Sequence, residues 1–317
     1  MHRRNTNNTL EEKLKDHYHK RDFTPKPATV SKLGMLFTAS LIFILFFESL
    51  YTLLPGIYSE VSENGKVVSR TGHFGEGYWL AFFVLLVTCV EVTWNWWRVY
   101  YDKPNWVTKE LKEEHFGQTI ETPAGWKHCP TCQLDAPPRS HHCNFCGHCI
   151  LKRDQHCFFT SSCVGLYNQR HFVVFCLYGV WGCLMGVYLQ LSYLNISYPL
   201  SDENFMMYVP PVPLFQLLIG NLSFGSFVVM LHVYVNICIM CVAGFLAAWQ
   251  LLLIVRGQTS HEAWKMIRAY NAGVYTNITS VFGSPMTSWI LLFAPLMLPL
   301  ELDGVKWNIQ GKPEKAN

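Results

Sequence analysis

Residues 129–163 read CPTCQLDAPPRSHHCNFCGHCILKRDQHCFFTSSC, and seven of the chain's 12 cysteines stand in that window. The segment has little apolar content from which to build a core, so its cysteines must close it, either as disulfides or as metal ligands. Long apolar runs flank the window on both sides. The choice between the two chemistries therefore turns on which face of a membrane it occupies.

Of the 317 residues 50% are hydrophobic, 15% aromatic and only 15% charged, against roughly 25% charged in an average soluble protein. That composition excludes a disordered chain, a collagen and a small secreted disulfide scaffold. A spanning helix needs about 20 apolar residues, and runs of that size cover 33–57, 78–99 and 172–194. A fourth lies within 213–255, where Gly220, Asn221, Ser223 and Gly225 interrupt the first part. We read 213–227 as re-entrant or interfacial and 228–255 as the span. Trp79, Trp94, Trp96, Trp97, Tyr100, Tyr193 and Tyr208 punctuate the run ends as an interfacial belt would. The fold class expected is an all-α membrane protein of four transmembrane helices, and no internal repeat is read.

Lys and Arg crowd the segment 1–32, the loop 100–171 and the start of the tail 256–317, while 58–77 holds only Lys66 and Arg70 and 195–212 holds none. By the positive-inside rule both termini and the 100–171 loop face the cytosol, and 58–77 and 195–212 face the lumen. The first apolar run follows a polar, basic stretch, the layout of an anchor rather than a cleaved signal. The segment 286–300, short and broken by Pro295 and Pro299, is expected to lie on the cytosolic leaflet. A net charge of +3 gives no reason to invoke nucleic acid. Glu48, Glu91 and His232 fall in or near spans, where ionisable groups are costly.

A cytosolic window is a reducing one, which favours metal over disulfide. Two CxxC pairs supply thiolate knuckles for tetrahedral zinc. One allocation gives Cys129, Cys132, His142 and Cys149 to a first ion, and Cys143, Cys146, His156 and Cys163 to a second. Spacing alone leaves His141 as an alternative to His142, with His128 and His148 as further substitutes. Four protein ligands close each site, so both zincs are structural and neither suits a hydrolase.

Cys157 is left over. It follows Lys152, Arg153 and Asp154 near the start of the third span, and cationic neighbours favour the nucleophilic thiolate. Such a cysteine at a bilayer surface suits chemistry on lipid thioesters.

These residues resemble the DHHC-type protein S-acyltransferases, or palmitoyltransferases. The likeness rests on the CxxC, PPRSHHC and CxxCxxC runs, on Asp154-Gln155-His156-Cys157, on CVGxxN at 163–168, on Phe172, and on the four spans with the cysteine-rich segment between the second and third. Thr259-Ser260-His261-Glu262 is similar to the family's TTxE, and Gly273 with Asn277 to its C-terminal motif. The resemblance implies an acyl chain passed from palmitoyl-CoA to Cys157 and on to cysteines of membrane-associated client proteins. It implies Asp154 as the orienting acid, His156 as a zinc ligand, a tent-shaped acyl cavity among the spans, and Thr259, Glu262 and Asn277 as structural motif residues. Lys127, Lys152, Arg153 and Arg170 are candidates for the CoA phosphates, with the positive-inside pattern and anionic headgroups as the favoured alternative for several of them, and Phe159 is a candidate for the cavity mouth. Endoplasmic reticulum or Golgi is the compartment it suggests. Two departures stand out. Gln155 replaces the family's histidine, so the activating base is missing, and Phe158-Phe159 replaces the usual Pro-Trp. Reduced activity, or a silent zinc-stabilised scaffold that binds clients or regulates an active relative, are the readings that follow.

Overall fold

The computed structural model describes residues 27–58, 77–101, 105–119, 121–201, 204–285, 294 and 302–307. The basic segment up to residue 26, most of the 58–77 loop and nearly all of 286–300 lie outside the described residues.

Among the described residues four helices are long and apolar enough to cross a membrane: Thr29–Tyr58, Tyr78–Tyr101, Gln169–Ser197 and Phe224–Val255. The first is compound. α1 (Pro27–Glu48) passes through a π-helical turn, Ser49–Leu53, into α2 (Leu54–Tyr58). Pro55 explains the break, since proline cannot donate to the carbonyl four residues back and the preceding turn widens. α3 is Tyr78–Tyr101, and a short α4 (Lys109–Phe116) follows it. α5 (Gln169–Ser197) starts three residues before the expected span. The segment read as re-entrant or interfacial holds α6 (Val212–Leu218) and a turn at Gly220, whose φ of 82° suits glycine. Ser223 then caps α7 (Phe224–Val255), its hydroxyl accepting from the Ser226 N–H at 3.1 Å.

The bundle buries polar side chains beside an apolar core that includes Leu53, Leu54, Leu189 and Met230, and it exposes apolar side chains. Glu91, Asn95, Gln190, Asn236 and Gln250 are at most 2% exposed, whereas Phe43, Leu80 and Phe245 are over 60% exposed. At the end of the bundle away from the cysteines, the Glu48 carboxyl meets His232 Nδ1 at 2.7 Å and accepts from Gln190 Nε2 at 2.9 Å. Gln190 in turn accepts from Asn236 Nδ2 at 3.0 Å. Gly186 makes the approach possible, because a Cβ there would sit 2.8 Å from that nitrogen.

The all-α expectation fails in the cysteine-rich segment, which forms three antiparallel hairpins: β1–β2 (Lys127–Cys129, Leu134–Ala136), β3–β4 (His141–Cys143, His148–Ile150) and β5–β6 (Gln155–Cys157, Ser162–Val164). They also overturn the reading of no internal repeat. The cross-strand pairs His128↔Asp135, His142↔Cys149 and His156↔Cys163 recur every 14 residues. So do the turn residues of positive φ, Gln133, Gly147 and Ser161. The period is also written in the sequence, where His-Cys recurs at 128, 142 and 156.

Two further short helices complete the described chain, α8 (Ser260–Trp264) and α9 (Val274–Phe282). Val281 of α9 packs on Val173 of α5 and Ile254 of α7, tying the tail to the bundle end.

Candidate metal centres and reactive cysteine

The three hairpins interlock through their ligands. The turn of each of the first two offers a CxxC pair, and the following hairpin offers a cross-strand pair to complete the set. Cys129 and Cys132 thus meet His142 and Cys149, and Cys143 and Cys146 meet His156 and Cys163, with ligand atoms within 4.8 Å of one another in each group. Ideal tetrahedral zinc with bonds of about 2.3 Å to sulfur and 2.0 Å to nitrogen places sulfurs about 3.8 Å apart and sulfur about 3.5 Å from nitrogen. The observed spacings match. Cys149 and Cys132 are 3.8 Å apart and Cys146 and Cys163 3.6 Å, while His156 Nδ1 lies 3.3 Å from Cys146 and 3.7 Å from Cys143 and Cys163. In the first group His142 Nδ1 lies 3.2 Å from Cys132. The residues fit a zinc ion in both places.

The other histidines have different partners. His141 faces His261, ring centroids 4.6 Å apart. Burial, then the charges of His261, Arg153 and Lys127, push its pKa down to about 4. His148 stacks on Trp106, and His128 bonds Asp135 at 3.0 Å.

The third hairpin supplies His156 and Cys163 to the second group but lacks a CxxC pair of its own. Cys157 occupies the position of Cys129 and Cys143, but Thr160 stands where Cys132 and Cys146 stand. Cys157 belongs to neither ligand group. Its sulfur is buried in a cluster with Val99 of α3, Phe172 and Cys176 of α5, Ala247 of α7 and Val164 of its own hairpin. Burial pushes its pKa up, opposed by hydrogen bonds from the Thr160 hydroxyl and from the backbone N–H groups of Thr160 and Phe159. Those amides are the cradle that knuckle turns offer to a thiolate.

The turn carrying Cys157 is held on both sides. The Trp96 indole of α3 donates to the Phe159 carbonyl at 2.9 Å. Asp154 is fixed more tightly: its carboxylate accepts from Gln250 Nε2 of α7 at 2.6 Å and from the Ser260 N–H of α8 at 2.5 Å. A buried chain runs on from there, with Gln169 Nε2 donating to Gln250 Oε1 and Lys152 Nζ donating to Gln169 Oε1, each at 3.0 Å.

Lys152 is therefore interior, 7% exposed, and burial together with the Arg139 charge pushes its pKa down to about 7. Arg170 is equally interior at 6%. Arg153 lies half-buried, and against the effect of burial the neighbouring sulfurs of Cys163 and Cys143 push its pKa up. Phe159 is exposed.

The tail motif locks the hairpins to the bundle. Thr259 and Glu262 form a reciprocal capping box on α8. The Glu262 carboxylate also receives both Nε and Nη2 of Arg139 at 2.8 Å, and the guanidinium sits over the rings of Tyr270 and Trp307 at 4.5 and 4.4 Å. Asn277 Nδ2 donates to the Val255 carbonyl at 2.9 Å, closing the end of α7. Gln250, Gln169, Arg139 and Thr160 were not singled out from sequence. A glutamine inside the apolar run of α7 was a usable signal, because buried polar groups in spans are rarely idle.

The chain matches the family model described as DHHC palmitoyltransferase over residues 123–267. It is 38% identical over 139 residues to Palmitoyltransferase ZDHHC22 of Danio rerio, covering 42% of this chain and 48% of that protein. It is 28% identical over 297 residues to Probable palmitoyltransferase ZDHHC24 of Danio rerio, covering 90% and 93%, and 34% identical to the Mus musculus protein of that name, covering 59% and 66%. The chain thus spans about half the length of the first of these relatives and nearly all of the second. With its two ligand clusters and its interlocked hairpins, the segment 123–267 is a DHHC palmitoyltransferase domain, set between apolar helices.

Proposed function

We propose that this protein is a membrane-embedded S-acyltransferase that uses Cys157 as its nucleophile. Relatives named palmitoyltransferases supply the reaction class. The observation that carries the reading is Cys157 itself, which is excluded from both metal groups yet packed against residues of three apolar helices. The Cys157 thiolate attacks the carbonyl carbon of a long-chain acyl-CoA thioester. The new C–S bond forms as the bond to CoA breaks, and the CoA sulfur leaves and takes up the proton that Cys157 released. The sulfur of a client cysteine then attacks the acyl carbonyl carbon; its C–S bond forms as the bond to Cys157 breaks, and the Cys157 sulfur takes up the proton that the client thiol released.

The zinc ions, when bound, hold the hairpins in one shape. The chain's own residues do the rest: Asp154, anchored by Gln250 and Ser260, fixes the start of the reactive strand, and the amides of Phe159 and Thr160 face the sulfur. The acyl chain lies among the four spans, with Phe159 at the mouth, and the exposed apolar surface of the bundle meets lipid. Both termini and the hairpins face the cytosol of an endoplasmic reticulum or Golgi membrane. Of Lys152, Arg153 and Arg170, Arg153 meets a CoA phosphate, a reading supported by the burial of the other two. Gln155 favours a second reading, a zinc-stabilised scaffold without turnover.

The test is to expose purified protein to labelled palmitoyl-CoA and map the adduct. Label is expected on Cys157 and is expected to vanish in Cys157→Ser. An unlabelled wild type, or label that persists in the variant, rejects the enzymatic reading.

A further inference from the structure

The start of the first helix reaches the second metal group. Ser31 of α1 is 3% exposed, and its hydroxyl oxygen lies 3.0 Å from His156 Nε2. The other ring nitrogen, Nδ1, is the one within 3.3–3.7 Å of the three cysteine sulfurs. A histidine that gives Nδ1 to a metal carries its proton on Nε2, so the His156 Nε2–H donates to Ser31 Oγ. One turn along α1, Gly34 faces the residue on the other side of Cys157: a Cβ there would sit 2.4 Å from the Phe158 carbonyl oxygen. The residues immediately before and after Cys157 are both seated on the same helix.

We infer that Ser31 is a positioning residue for the second metal centre, its hydroxyl fixing the ring of His156, and that α1 thereby sets the placement of the neighbouring Cys157. The assignment rests on the metal reading of the two clusters and on the acyltransferase reading of Cys157, but its first readout depends on neither acyl-CoA nor turnover. An outer partner of a metal-bound histidine is worth about 10–100-fold in metal affinity or activity when removed. Gly34 adds a steric requirement, and the two contacts share one rigid helical turn.

The test compares Ser31→Ala, Ser31→Val and Ser31→Thr in the full-length protein, with Thr38→Ala as a packing control further along α1. Zinc release to a chromophoric chelator is followed in detergent, and native mass spectrometry counts the ions that remain. In Ser31→Ala and Ser31→Val one of the two ions is expected to leave about 10-fold faster than in wild type while the other is unaffected. Ser31→Thr, equal in size to Val but with a hydroxyl, is expected to restore the wild-type rate. Acyl labelling of Cys157 is expected to fall in step with that ion's loss. Wild-type release in Ser31→Val, equal acceleration of both ions, equal acceleration in Thr38→Ala, or failure of Ser31→Thr to rescue or to fold overturns the inference. If no variant and no wild type takes up acyl label but the release pattern holds, the acyltransferase reading fails and the Ser31 assignment stands.

Discussion

Gln155 is where a single residue decides most. Its amide does not take up and release a proton near neutral pH, and Asp154, which the family resemblance makes the orienting acid, spends its carboxylate on Gln250 and Ser260. The sulfur of Cys157 is left with hydrogen bonds from the Thr160 hydroxyl and two amides. General-base assistance is worth about 100-fold to 10,000-fold. Gln155→His is therefore expected to raise the rate of acyl-enzyme formation by about 100-fold or more, measured by single-turnover labelling with palmitoyl-CoA. A rate equal to that of the natural protein would mean that the thiol is already activated by another route. Residue chemistry was the most legible level of this chain: the window 129–163 displays its ligands and its odd cysteine at fixed spacings. The choice of His142 over His141 was not, because adjacent residues on a strand point to opposite faces and only the hairpin register says which face holds the metal.

Among the elements, the hairpins and α8 depend on a buried ion pair more than on shared apolar surface. Arg139 and Glu262 have side chains 3% and 4% exposed, joined by two hydrogen bonds of 2.8 Å, and they stand 123 residues apart in sequence. Removing one partner of such a pair strands a buried charge and costs about 3–5 kcal/mol. Arg139→Ala is expected to lower the midpoint of thermal unfolding in detergent and to expose the 257–272 segment to limited proteolysis. Arg139→Lys is expected to recover only part of the loss, since an ammonium cannot supply the two-pronged geometry or the same stacking on Tyr270 and Trp307. A variant as stable and protease-resistant as wild type would show that the clamp is dispensable. This contact was invisible in the sequence. Arg139 read as part of a motif string and Glu262 as part of another, and only the folded chain joins them. The 14-residue repeat was legible, since His-Cys recurs at 128, 142 and 156, and it was missed because Cys gives way to Thr at 160 in the third copy.

Seen as a whole, the molecule links its long apolar helices through buried polar groups as well as through an apolar core. The four apolar runs were plain from composition, because a spanning helix must be continuously apolar, but their pairing was not, because lipid offers no hydrophobic drive to choose neighbours. The choice is made by groups such as Glu48, His232, Gln190 and Asn236, which link the first, third and fourth long helices. Interhelical hydrogen bonds of this kind measure on average about 0.6 kcal/mol, up to about 1.7 kcal/mol, because an unpaired group can find other partners. Glu48 meets two partners on two helices, so the network is expected to sit toward the upper end. A double-mutant cycle with Glu48→Gln and His232→Leu, read as unfolding free energy in mixed micelles, is expected to give a coupling of about 1–2 kcal/mol. The double variant should then be less damaged than the two singles predict. Strict additivity would mean that the contact is incidental and that packing at glycines such as Gly186, against Asn236, aligns the helices instead. Since Cys157 sits at the opposite end of the same bundle, packed on α3, α5 and α7, a loosened network should also slow its labelling, even though no variant in the cycle lies near the sulfur.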